Sequence, residues 1–222
     1  MSTKTQQITP GLHYDDASHT YTLDGERIPG ITEVLTAAGE IQGAEWFTPE
    51  SRDRGSRVHL AAHYLLDDDL DWTTVDDSEM GYGLSVKRFL RETGAVIPFH
   101  EMPLAHPALK YGGTPDCPVA IWNCEPKVID WKTGTYAPHH ALQLAAQVEL
   151  VRANAANLGL RPDEIPHRGL IVSLHRTGRY TIHDPRTQRE PITQAQAWAK
   201  FQNALQKFKE DNSHGPCTNP PY

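Results

Sequence analysis

Apolar positions along this chain recur in two rhythms, every second residue and every third or fourth, and the changes between them mark the elements. The first period-two stretch is Tyr21-Thr22-Leu23, turned at Asp24-Gly25 into Arg27-Ile28, which predicts a small hairpin within residues 14–29. Residues 31–38 read as a short helix closed by Gly39, and Thr48-Pro49-Glu50 opens a longer one running to about Leu66. A second amphipathic helix covers residues 78–93, with Met80, Leu84, Phe89 and Leu90 as its apolar face and Gly94 as its stop. Residues 96–104 form a strand-like run. Two apolar runs, 118–122 and 127–131, flank a turn at Asn123-Cys124-Glu125-Pro126 and predict an antiparallel hairpin. A long helix follows over 138–158, closed by Gly159. Its Leu142, Leu144, Ala145, Val148 and Leu150 offer a broad apolar surface to a sheet. Residues 169–175 read as a buried strand, turned at 176–179 into a strand over 180–183. Thr193 caps a last helix to about Lys209, with Trp198, Phe201, Leu205 and Phe208 at core spacing.

This order predicts an α/β fold with a mixed central sheet flanked by helices. One domain spans 13–210, with a helical part over 30–95 and a core over 96–185. Residues 1–12 and 211–222 read as loose tails. At 222 residues the chain has ample length for one core. No apolar run is long enough for a membrane span and no apolar signal region opens the chain, so the cytoplasm is the expected compartment. Three cysteines point the same way, to a reducing compartment. A net charge of −7 argues against a protein that coats DNA with basic surface. Much of the acidity is local, in residues 67–71 and 76–79, and reads as solvated loop. No glycine-rich nucleotide loop is present, which excludes a motor of the common types.

The chemistry concentrates between Gly112 and Gln147. Asp116 stands before the first hairpin strand, and Asp130 and Lys132 lie two apart on the second, hence on one face. The simple hairpin register leaves the two acids offset; a longer turn or a bulge would align them. Carboxylates without a Cys or His partner favour Mg²⁺ or Mn²⁺. On the next helix His140, Gln143 and Gln147 share a face near its N-terminus, where anions are favoured. Upstream, His59, His63 and Asp67 are spaced four apart on one helix face, a spacing that suits zinc, although a closed site needs a fourth ligand. Arg176 and Arg179 read as hairpin decoration before phosphate contacts.

Gly112-Gly113-Thr114-Pro115-Asp116 and Ile129-Asp130-Trp131-Lys132-Thr133-Gly134 resemble the PD-(D/E)XK nuclease superfamily, in the branch of the RecB nuclease domain and bacteriophage exonucleases. Gln143-Leu144-x-x-Gln147 is similar to that branch's Gln-x-x-x-Tyr motif, with Gln147 where Tyr is common. Gly55-Ser56-Arg57-Val58-His59 is similar to its helix motif ending in histidine, with Gly55 suited to close helix packing. The resemblance covers roughly residues 50–180 and implies a restriction-endonuclease-like core. It implies a Mg²⁺- or Mn²⁺-dependent deoxyribonuclease, an exonuclease in phage or bacterial recombination. Asp116, Asp130 and the Trp131 carbonyl would hold the metal, with His59 and Glu101 as further ligands. Lys132 would position the attacking water and Gln143 would orient Lys132 or a phosphate. Arg54, Arg57, His140 and Gln147 would contact DNA, and a single-strand annealing or recombination protein is the partner such enzymes suggest. Some relatives hold an iron–sulfur cluster on four cysteines; Cys117, Cys124 and Cys217 are too few. A structure-specific or single-strand endonuclease and a catalytically silent nucleic-acid-binding module are the alternatives.

Overall fold

The computed structural model describes residues 8–41 and 48–213. Residues 1–7, the C-terminal stretch 214–222 and Cys217 within it lie outside the described residues, and with them the tail readings there. Three short strands, β1 (Leu12–Asp15), β2 (Thr20–Leu23) and β3 (Glu26–Ile28), form an antiparallel sheet in that order. The turn between β2 and β3 places Asp24 and Gly25 at positive φ, as a tight hairpin requires. β1 was not expected: residues 8–12 are not a loose tail, because Ile8, Thr9 and Leu12 are buried and the Thr9 hydroxyl donates to Asn154 Oδ1 at 2.8 Å. The helices are α1 (Ile31–Ala37), α2 (Pro49–Leu66) and α3 (Asp77–Thr93).

Next in order come β4 (Val96–Phe99), β5 (Leu104–His106), β6 (Tyr111–Gly113), β7 (Cys117–Trp122) and β8 (Glu125–Lys132). The strand expected over 96–104 is therefore two pieces in two sheets. The break holds Glu101 at φ 45°, a left-handed conformation that ends strand pairing. Then come α4 (His139–Ala153), β9 (Gly169–Leu174), β10 (Tyr180–His183) and α5 (Gln194–Ser213). α4 stops earlier than the pattern suggested, and α5 runs past Lys209 into the stretch expected to be tail.

The central sheet has the order β10-β9-β8-β7-β4. β8 and β9 are parallel, joined by the α4 crossover, and the other pairs are antiparallel. The fold is thus mixed α/β, as the pattern of elements predicted. Strand alternation sends successive β8 residues to opposite faces, and both faces are covered. Val128 packs with α1, α4 and α5, while Ile129 and Trp131 pack with α2 and α3. The face of α3 is a correction. Tyr82, Val86 and Phe89 are buried, whereas Leu84 is exposed. Small residues turn the helix this way. A Cβ at Gly81 would stand 1.8 Å from the Arg176 carbonyl oxygen, and Ser85 Oγ lies 2.9 and 2.6 Å from the carbonyl oxygens of His175 and Arg179. None of the described helices is long and apolar enough to cross a membrane.

Candidate active site

The β7–β8 hairpin is closed by Asn123 and Cys124, both at positive φ, so the turn is tighter than the four residues that composition suggested. Trp122 pairs with Glu125 and Ala120 with Lys127, but Cys117 pairs with Ile129. The register slips by one residue between Ala120 and Cys117. Without that bulge, the residue before Cys117 would face Trp131. With it, Asp116 faces Asp130, the alignment the sequence left open.

Each acid is held by different neighbours. Asp116 is buried; its Oδ2 accepts the Trp131 N–H at 2.7 Å and its Oδ1 lies 3.0 Å from His59 Nδ1. In an extended strand a residue's N–H and C=O point to the same neighbour, so the Trp131 carbonyl also faces the Asp116 side. The Trp131 ring packs edge-on against Phe89, in the core beneath. Asp130 is 1 % exposed. Its Oδ1 accepts from Gln143 Nε2 at 3.1 Å and Gln147 Nε2 at 2.9 Å, one turn apart on α4. Its Oδ2 lies 2.5 Å from Lys132 Nζ, an ion pair buried in the strand face.

The electrostatics follow from that crowding. Burial raises the Asp130 pKa, but the Lys132 ammonium and the Gln147 amide outweigh it, and the carboxyl stays below its ordinary range. Burial lowers the Lys132 pKa, but Asp130 and Asp116 reverse this and hold the side chain protonated. His59 shows the same contest, with burial opposed by Asp116 and the net shift upward. Glu101 lies beyond them, its backbone N–H donating to the Asp116 carbonyl at 2.9 Å. Burial, and then the charge of Asp116, push its carboxyl up to about 7.

The structure thus brings together Asp116, Asp130, Lys132, Gln143, His59 and Glu101, and it changes the reading of Gln147, His140 and Gly55. Gln147 is 2 % exposed and clamps Asp130, so it is not a surface contact for nucleic acid. His140 is buried too. Its Nδ1 accepts the Ala137 N–H at 3.1 Å, and burial, helped by Lys132, takes its pKa down to about 3. It is a neutral brace for the start of α4. Arg57 pairs with Glu79 at 2.6 Å while about half of its side chain stays exposed. Arg54 shares its helix face with buried Val58, and its Nε is buried without a hydrogen-bond partner among the described residues. Gly55 does not serve close packing: among the described residues a Cβ there meets nothing.

One contributor escaped the sequence reading. The Tyr21 hydroxyl lies 2.9 Å from Thr114 Oγ1, and a Cβ at Gly112 would stand 2.5 Å from the Tyr21 ring. The small N-terminal sheet therefore braces the loop that carries Asp116. The paired glycines before Thr114 are the signal that could have pointed to such a close approach. The zinc spacing also resolves differently. His59 turns to Asp116, and His100 joins His63 and Asp67 in its place. A scan against protein-family models finds no match to this chain, and a search among curated proteins finds no relative.

Proposed function

We propose that this chain is a divalent-metal-dependent deoxyribonuclease of the PD-(D/E)XK kind, hydrolysing phosphodiester bonds as an exonuclease. The observation that carries this reading is the meeting of Asp116, Asp130 and Lys132 at the open end of the hairpin, two buried acids beside one ammonium. Buried carboxylates in excess of the adjacent ammonium favour a further cation. The surrounding donors are carboxylates and a strand carbonyl, the set that Mg²⁺ and Mn²⁺ take. Asp116, Asp130 and the Trp131 carbonyl are the residues that would hold the ion. Bound there, it would supply a Lewis acid for a phosphoryl oxygen and make a bound water more acidic.

The protein's own groups have separable tasks. Lys132 is an ammonium, so it orients the attacking water and faces the charge that builds on the phosphoryl oxygens. Gln143 and Gln147 position Asp130. His59 positions Asp116. Glu101, with a carboxyl near neutrality, can hold or release a proton beside the reacting phosphate. The resemblance carries the preference for ends over internal bonds, for DNA, and for a role in recombination.

The test is digestion of end-labelled linear duplex beside closed circular DNA, with Mg²⁺, with Mn²⁺ and with chelator. Metal-dependent loss of the linear form alone is the expected result. Cutting of the circle would replace the exonuclease by an endonuclease. No cutting of either, nor of single-stranded DNA or RNA, would overturn the enzyme reading in favour of a silent binding module.

A further inference from the structure

The clustering of His63, Asp67 and His100 goes beyond the proposed nuclease centre, which it adjoins through Glu101. His63 and Asp67 stand one turn apart at the C-terminal end of α2. His100 arrives 33 residues after Asp67, from the end of β4. His100 Nε2 lies 3.0 Å from Asp67 Oδ1, and His63 Nε2 lies 3.6 Å from Asp67 Oδ2. The two imidazoles meet edge to face with centroids 4.6 Å apart. One ligand atom from each residue can be chosen so that all three lie within 4.8 Å of one another.

We propose that His63, Asp67 and His100 form a second metal centre that takes one zinc ion, with a water in the fourth position. Two imidazoles and a carboxylate are a donor set for zinc and disfavour the oxygen-seeking Mg²⁺ of the acid site. Zinc ligands at about 2.0–2.1 Å from the ion stand roughly 3.3 Å apart, so small side-chain rotations close the set. The C-terminal end of the α2 dipole adds negative potential on the same side. A ligating imidazole keeps its outer N–H on an acceptor, and His63 Nδ1 has Glu101 Oε2 at 3.4 Å for this purpose. His63 Nδ1 and His100 Nδ1 share a hydrogen bond at 3.1 Å. Loading exchanges that bond for coordination and passes the His63 N–H to Glu101. The ion would staple the end of α2 to the end of β4, beside the Asp116 loop.

The experiment uses the full chain carrying Asp116→Asn and Asp130→Asn, so that the acid site does not compete. Chelator-stripped protein is titrated with Zn²⁺ against a chromophoric chelator, with circular dichroism as the check on folding. One equivalent of zinc is expected, together with a higher Tm on loading. Adding either His100→Gln or Asp67→Asn should remove both the equivalent and the Tm rise while the dichroism spectrum is unchanged. No zinc bound in the acid-free background, or zinc retained in both added variants, overturns the proposal and leaves the cluster a hydrogen-bonded network. DNA cleavage is not the readout, so the result stands apart from the fate of the nuclease reading.

Discussion

The two ends of the β7–β8 hairpin each gather charged side chains, and they treat them in opposite ways. At the turn end, Lys127 is 3 % exposed, and its amine donates to the carbonyls of Trp122 and Glu125 at 2.7 and 3.2 Å and pairs with the Glu125 carboxylate at 3.0 Å. Arg168 bridges Glu125 and Asp184, and Asp184 also takes Arg186. A cavity of about 290 Å³ opens there, yet its lining charges are already paired. At the open end, three acids, Asp116, Asp130 and Glu101, meet one lysine, Lys132, with His59 against Asp116 and His63 against Glu101 among the described residues. Concave space alone would point to the turn end. What distinguishes a site from a structural network is charge left incompletely answered, because that is the part a metal or substrate can complete.

Substitutions can set the two ends against each other. The largest effect belongs to Lys132→Ala, expected to lower the rate of DNA cleavage per folded molecule about 10²–10³-fold, the cost of losing one positioned donor at a developing charge, together with a loss of stability because buried Asp130 loses its cation. Unchanged cleavage would erase the distinction between the two lysines. Lys127→Ala should cost stability alone. It strands two carbonyls and is expected to cost about 1–3 kcal/mol of stability in urea unfolding, with cleavage per folded molecule intact.

Glu101→Gln sharpens the contrast through pH. Glu101 keeps its proton to a higher pH in the folded chain than its ordinary 4.5. That contribution is complete below 4.5 and is lost as pH rises through about 7. In chelator, the Gln variant should therefore be more stable than the parent above pH 7, by on the order of 1 kcal/mol after allowing for partial exposure. The gap should close as pH falls towards 4.5, and a gap independent of pH would show that the carboxyl does not titrate as described. The smallest effect is Arg168→Ala at the turn end, about 0.5–1 kcal/mol by thermal unfolding and no loss of cleavage, since partly exposed ion pairs contribute little.

What the sequence alone determined is local. Strand alternation already placed Asp130 and Lys132 on one face, and helical spacing placed Gln143 and Gln147 one turn apart. The turn at Asp24-Gly25 and the stop at Gly94 were legible for the same reason, each depending on residues within one turn or one hairpin, and the mixed sheet between helices was legible from the order of the elements. Four features waited for the tertiary structure. The bulge sets Asp116 opposite Asp130, His59 chooses Asp116 over His63, His100 reaches Asp67 from another element, and α3 is rotated onto Tyr82 and Phe89. Each of these is a contact between segments distant in the chain, settled by register and packing against a neighbour. A periodic pattern records which residues share a face, but the partner that face meets is chosen only when the sheet and its helices close together.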